Sequence, residues 1–166
     1  MYALGGFSKD LNSAEIKLGG SGSIIIFAIG SSINGLKLVP RAAGVGTVII
    51  IGDLSGSAVE HWSITNCFIG NPVNSTSYYF ANAILFQNAW YGTISGNELM
   101  NVPAYVGQYG TGINGLSSEN ISVTLNTIMS FSRGMNWSTD TTVGHRCKGW
   151  MINNNTIIDC TQAAFF

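Results

Sequence analysis

Short runs of apolar and polar residues recur in the same order along the second half of the chain. Three segments superpose without gaps, and each reads apolar, two residues, Asn, one residue, then two apolar residues: TISGNELMNV at 93–102, SVTLNTIMSF at 122–131 and MINNNTIIDC at 151–160. An earlier copy, WSITNCFIGN at 62–71, fits if one residue is deleted. Self-similarity at one fixed period predicts stacked, repeated units.

One asparagine stands at the same place in every copy. It is Asn97, Asn126 and Asn155 in the three gapless copies, which are evenly spaced, and Asn66 in the earlier copy, at a slightly longer spacing. Equivalent side chains of stacked coils lie above one another at the roughly 4.8 Å spacing of paired strands. We therefore predict a structural amide ladder of these four asparagines.

The apolar positions around the asparagine also form columns, which predict a stacked core. A period of about 29 residues suits three short strands joined by turns. We predict an all-β fold, a right-handed single-stranded parallel β-helix of about 5–6 coils over residues 21–166. The predicted core columns are Ile94, Val123 and Ile152; Leu99, Ile128 and Ile157; and Val102, Phe131 and Cys160.

The register weakens upstream of residue 60, although residues 24–27, 35–39 and 47–51 still read as short strands between glycines. Residues 1–20 are interpreted as an N-terminal cap or attachment segment. A short helix within residues 9–17 would cover the first coil, because an uncovered β-helix end is an exposed sheet edge.

Composition and charge limit the classes of partner that the chain is expected to bind. Only 9% of residues are charged and the formal net charge is −1, so no field attracts nucleic acid or an anionic membrane. The apolar run IIIFAI at 24–29 is far shorter than the ~20 residues of a membrane span, and we expect no membrane insertion. Three scattered cysteines predict reduced thiols rather than disulfides, and no residue spacing predicts a metal or cofactor site.

The repeats GTISGNELMNV, ISVTLNTIM and WMINNNTIID, with the strands INGLKLV and GTVIIIG, resemble the pectin-lyase-like β-helix superfamily. Within it they look most like bacteriophage tailspikes and related virion spikes that decorate capsids. The resemblance covers residues 60–166 well and 20–59 loosely. It implies a homotrimer on the virion surface, made in the host cytoplasm. It also implies contacts with capsid or tail proteins and with host surface polysaccharide.

Candidate catalytic groups are few. Glycan cleavage in such folds needs either two carboxylates about 5–9 Å apart or a basic residue beside a metal or a neutralising group. By the sequence alignment, no two of the eight acidic residues share a column. The first suspects are Glu98, Glu119 and Asp159. Glu119 and Lys148 share a column, which predicts a surface ion pair instead.

Aromatic residues form a better constellation. Tyr78, Tyr79, Tyr109 and Trp137 stand at nearly the same offset after ladder positions. Stacking of these connections would give a strip of aromatic faces that suits either glycan binding or a trimer interface. The interface is the favoured use, and ordinary loop packing is a third.

Three functions follow. The first is a non-enzymatic, trimeric virion spike, and the second is a fragment of a polysaccharide depolymerase, a glycoside hydrolase or lyase. The third, an ice-binding or adhesin-like solenoid, needs a regular threonine array on a flat face, which only Thr127 and Thr156 approach. We rank it last.

Overall fold

The computed structural model describes residues 16–19, 24–26, 28–40, 45–52, 58–70, 79–101, 109–138 and 147–165, with only the backbone at positions 109 and 165. The described part is an all-β parallel solenoid without helix, which confirms the predicted fold class. Most of the predicted capping helix, residues 9–15, lies outside the described residues. Its last residues are a strand, since residues 16–18 pair with residues 38–40.

Three parallel sheets run along the solenoid, and each coil adds one strand to each sheet. Sheet 1 has six strands, numbered like all strands in chain order: β1 (Ile16–Leu18), β4 (Lys37–Pro40), β8 (Phe68–Gly70), β12 (Glu98–Met100), β15 (Thr127–Met129) and β18 (Thr156–Ile158).

Every strand of sheet 2 has three residues, and only the middle residue of each points inward. Its five strands are β3 (Ser32–Asn34), β7 (Ser63–Thr65), β11 (Thr93–Ser95), β14 (Ser122–Thr124) and β17 (Met151–Asn153). Counted from β3 to β17, the described residues make about four full turns, and β1 of sheet 1 belongs to part of one more coil before them.

Sheet 3 has the longest strands, up to eight residues: β2 (Ile24–Ile26), β5 (Val45–Ile51), β9 (Phe80–Gln87), β13 (Tyr109–Leu116), β16 (Phe131–Ser138) and β19 (Gln162–Phe165). A short pair, β6 (Val59–Glu60) and β10 (Ala89–Trp90), joins sheet 3 to the next strand of sheet 2.

The strand register explains the sequence period. Ile94 pairs with Val123, which pairs with Ile152, and the two steps along the chain are equal in length. The steps lengthen towards the N-terminus, by one residue between Ile64 and Ile94 and by one more between Ile33 and Ile64. The pairing therefore continues upstream of residue 60, where the fixed sequence spacing is lost.

Single residues in the left-handed backbone region make the corners between sheets. The corner between sheets 2 and 1 holds one such residue in every coil, with φ between 53° and 68°: Gly35, Asn66, Gly96, Leu125 and Asn154. Only glycine, and to a lesser extent asparagine, adopts this conformation without strain. Only two residues separate the strands at this corner, which leaves no room for a loop and keeps neighbouring coils in register.

Large aromatic side chains fill the interior where sheets 2 and 3 meet. The ring centroid of Phe86 lies 5.5 Å from that of Trp62 and 5.2 Å from that of Trp150. A side chain at Gly92 would collide with Trp62, and one at Gly115 with Phe86 and Trp150. These glycines therefore provide the space for the rings of neighbouring coils.

Candidate functional site

The asparagine ladder lies inside the stack. The side-chain amide of Asn97 donates to Asn126 Oδ1 at 2.9 Å, and that of Asn126 donates to Asn155 Oδ1 at 2.9 Å. The second amide hydrogens go to backbone carbonyls, from Asn97 to Ile64 at 3.0 Å and from Asn126 to Ile94 at 3.0 Å.

Backbone groups use the remaining capacity of the ladder. Asn126 Oδ1 also accepts the backbone N–H of Asn97 at 3.0 Å, and Asn97 Oδ1 accepts that of Cys67 at 2.9 Å. A carboxamide has two donor hydrogens and two acceptor lone pairs, and Asn126 uses all four. Asn97 and Asn126 are at most 2% exposed. Their side-chain hydrogen-bond donors and acceptors are therefore used within the fold.

Asn66 does not belong to this column, which corrects the predicted alignment. Phe68 pairs with Glu98, so Cys67 is the equivalent of Asn97, and no residue is deleted between the two copies. Asn66 is the left-handed corner residue, with φ of 54°, and its amide donates to Asn34 Oδ1 at 3.2 Å. Asparagine is favoured there for its backbone, whereas in the ladder it is needed for its side chain.

The suspected catalytic carboxylates occupy three different places in the coil. Glu98 begins β12 in sheet 1, between Phe68 and Thr127 in neighbouring strands. Asp159 is an exposed residue after β18, with φ of 54°. Glu119 lies at the entry to sheet 2. The register therefore gives no two of these three carboxylates a common column. Glu60 and Glu119 do share one, on either side of Trp90, which corrects the prediction that no two acidic residues align.

Glu119 forms the ion pair that the sequence predicts. Its Oε2 lies 3.1 Å from Lys148 Nζ, and the backbones of Trp90, Glu119 and Lys148 bridge in successive coils. The Lys148 side chain is 64% exposed. Water screens such a pair, so it contributes at most about 1 kcal/mol to stability.

The four predicted aromatic residues do not all lie on one described surface. Tyr78 is outside the described residues, Tyr79 is half-buried just before β9, and Tyr109 lies in β13 opposite Phe131. Trp137 is only 6% exposed and packs edge-on against Trp150, with ring centroids 5.1 Å apart. Their use in glycan binding or in a trimer interface stays a prediction.

A different pair of rings is exposed. His61 and Tyr91 stack with centroids 5.2 Å apart and an interplanar angle of 11°. The His61 side chain is 65% exposed and Tyr91 is 51% exposed. We call their column the aromatic corner, which consists of Gly30, His61, Tyr91, Asn120 and Gly149.

Hydrogen bonds fix the register of the aromatic corner. The backbone N–H groups of Gly30, His61 and Tyr91 donate to the carbonyl oxygens of Glu60, Trp90 and Glu119 at 3.0–3.2 Å. Gly30, His61 and Tyr91 are therefore equivalent residues of successive coils. Beside the rings, Glu60 Oε2 lies 4.0 Å from His61 Nε2. This pair is not evident from the sequence, because the equivalent positions in the other coils hold glycine or asparagine and no column of aromatic residues is visible.

The outer face of sheet 2 is a second polar surface. Its first four strands each carry two outward polar residues around an inward Ile or Val: Ser32 and Asn34, Ser63 and Thr65, Thr93 and Ser95, Ser122 and Thr124. Thr124 Oγ1 donates to Ser95 Oγ at 3.1 Å, so part of the hydrogen-bonding capacity is used within the face.

A chain of side-chain amides crosses the outer face of sheet 3. Asn136 donates to Asn114 Oδ1 at 2.8 Å, Asn114 to Asn82 Oδ1 at 3.1 Å, and Asn82 to Thr47 Oγ1 at 3.0 Å. These bonds tie four coils together from outside, as the ladder ties them from inside.

Within the described residues, no cluster of three His, Cys, Asp or Glu side chains could hold a metal ion, and no helix is long and apolar enough to cross a membrane. The three cysteines are reduced thiols. Burial raises the pKa of the Cys160 thiol above its ordinary value, with a smaller contribution from the charge of Asp159.

Comparisons with known proteins do not add a relative. The chain matches no protein-family model, no curated protein and no solved structure.

Proposed function

We propose that this chain is a structural protein of a bacteriophage virion. It would form a trimeric β-helix spike that decorates the capsid or belongs to a tailspike in contact with host surface glycans. The single observation that supports this most is the asparagine ladder, in which Asn97 and Asn126 are buried and Asn126 uses all four of its side-chain hydrogen-bonding positions.

A spike has to resist bending along its length. The described side-chain hydrogen bonds between successive coils suit that role. The ladder joins consecutive coils inside, and the amide chain from Thr47 to Asn136 joins them outside. The two-residue corners between sheets 2 and 1 leave these sheets little freedom to shift relative to each other. Fully satisfied buried polar networks make a fold more rigid and specify one register.

The three suspected carboxylates favour a structural rather than a catalytic role. Hydrolysis by a carboxylate pair needs both groups across one substrate bond. Glu98, Glu119 and Asp159 stand in separate columns, and Glu119 is paired with Lys148.

The test is the mass of the purified chain in solution by light scattering. A closed symmetric assembly of three 17.6 kDa chains is the expected result. A stable monomer across the accessible concentration range would contradict the trimeric spike.

The depolymerase is tested separately, by incubating the chain with bacterial surface polysaccharides and measuring new reducing or unsaturated ends. No cleavage is expected. Cleavage that is lost in the variant carrying Glu98→Gln, Glu119→Gln and Asp159→Asn would replace the structural proposal with the enzymatic one.

A further inference from the structure

The aromatic corner places bulky side chains where the backbone disfavours them. All five of its residues have positive φ, and three are Gly or Asn, the types that accept this conformation. Tyr91, at φ 53°, is a bulky exception, and His61 has φ of 56°. Strained residues of this kind concentrate at ligand-binding and active sites.

The strain is not offset by burial. Both rings are more than half exposed, so the corner does not gain the stabilisation that an aromatic side chain obtains in a core. Leu125 is different: it also has positive φ and is exposed, but its aliphatic side chain has no ring to stack on a neighbour. Two aromatic rings in successive coils form an ordered platform, which a single exposed leucine cannot.

One face of this platform is open among the described residues. Tyr91 covers one face of His61, and the equivalent residue on the other side is Gly30. A Cβ built on Gly30 meets no atom within 4 Å. Among the described residues, Gly30 therefore leaves this face of His61 without a side chain over it, and Ile29 beside that space is 66% exposed.

The polar groups around this space suit hydroxyl groups. Glu60 is one-third exposed, with its Oε2 4.0 Å from His61 Nε2, and the exposed Ser32 follows Gly30 by two residues. The oxygens of a carboxylate accept hydrogen bonds from neighbouring hydroxyls. Glu60 also disfavours an anionic ligand, and the positive charge of Lys148, three coils further on, is paired with Glu119.

We propose that the aromatic corner binds one pyranose ring of a neutral glycan. The C–H face of the sugar stacks on His61 in the space left by Gly30, and its hydroxyls donate to Glu60. This inference names a site and a ligand class for the glycan contact in the proposed function, and it rests on that function.

The experiment is ligand-observed saturation-transfer NMR on the intact chain with a panel of neutral methyl hexopyranosides. Glucuronate is the acidic comparison and adenosine is the planar aromatic comparison. The chain has two histidines, so the ring-proton signal of His61 can be assigned with one variant and followed in the same titration. At least one neutral sugar should show saturable transfer and shift that signal.

Matched variants locate the site without disturbing the corner. His61→Asn and Tyr91→Asn retain a residue type that accepts positive φ but remove a ring. Loss of stacking predicts affinity lower by about tenfold in His61→Asn. Leu125→Asn makes the same replacement at another exposed corner and should bind like the unmodified chain.

Three results would overturn the inference: no transfer to any neutral sugar, equal binding in His61→Asn, or tighter binding of glucuronate or adenosine. Dissociation of a trimer by His61→Asn would also overturn it, by assigning the rings to a subunit interface. A monomeric chain that binds sugar through His61 would contradict the trimeric spike but not the sugar site. A trimer that binds none would sink only the sugar site.

Discussion

Cys67 occupies the position that asparagine fills one coil later, at Asn97. The Cys67 backbone N–H donates to Asn97 Oδ1 at 2.9 Å, and its Sγ lies 4.0 Å from the carbonyl oxygen of Ile33. Each ladder asparagine donates to the carbonyl at this same place, as Asn97 does to Ile64. Position 67 therefore has the acceptors of a ladder asparagine but carries a thiol.

Cys67→Asn should extend the ladder by one coil. Its amide hydrogens would reach Asn97 Oδ1 and the Ile33 carbonyl, and a net hydrogen bond contributes about 1 kcal/mol to stability. The free energy of unfolding in urea should rise by that amount. Cys67→Ser is the control, because it removes the thiol without supplying an amide. A lower stability in Cys67→Asn than in Cys67→Ser would show that the site cannot accept the ladder geometry.

The central ladder residue should be the most sensitive. Asn126→Leu removes the acceptor of the Asn97 backbone N–H and side-chain amide, and it leaves the Ile94 carbonyl without its side-chain donor. Buried polar groups left unsatisfied cost about 1–3 kcal/mol each, so we expect a loss of about 3 kcal/mol. Chemical denaturation measures this, with Asn153→Leu on the exposed face of β17 as control. Equal losses in both variants would contradict a special role for the ladder.

The sequence predicted the fold where two signals agreed. At Asn97, Asn126 and Asn155, the fixed spacing and the flanking apolar columns gave the same alignment. The strand register confirms that alignment. At Asn66 the residue type alone decided, and it misled because asparagine is favoured both in the ladder and at a left-handed corner.

Other features depend on pairs of coils and could not be read from one segment. The space for Trp62 comes from Gly92 in the next coil. His61 and Tyr91 likewise stack because they are equivalent residues of neighbouring coils. Trp137 was placed on an outer strip by its distance from the ladder. Its side chain is buried instead against Trp150, a contact that only the stacking of two coils defines.

Gly92→Ala should be strongly destabilising, because the added methyl group would occupy the space of the Trp62 ring. Overpacking of a tight core typically costs about 1–3 kcal/mol, and calorimetry should show a lower melting temperature. Gly46→Ala is the control, since nothing lies within 4 Å of that position. Trp62→Leu should suppress most of the effect of Gly92→Ala. Additive effects in the double variant would argue against direct contact.

The Cys160 thiol should react slowly at neutral pH. Burial raises its pKa, and only the thiolate is alkylated. The pH profile of iodoacetamide modification, followed by peptide mass mapping, should be displaced above that of an unperturbed cysteine. Asp159→Asn should move it partly back. Because the folded state holds the proton more tightly, this contribution to stability is complete below the ordinary cysteine pKa and is lost as pH rises through the raised value.

Leu125 offers a test of the corner strain that is separate from any ligand. It has φ of 59° and is 62% exposed, while Asn66, Gly96 and Asn154 occupy the same corner in other coils. The left-handed conformation costs a non-glycine residue about 1–2 kcal/mol, so Leu125→Asn should raise the free energy of unfolding in urea by about 1 kcal/mol. Ile158→Asn, at an exposed strand residue, should not stabilise. If both variants behave alike, backbone strain does not limit the stability of this solenoid, and the argument from strain to a binding role at Tyr91 loses its basis.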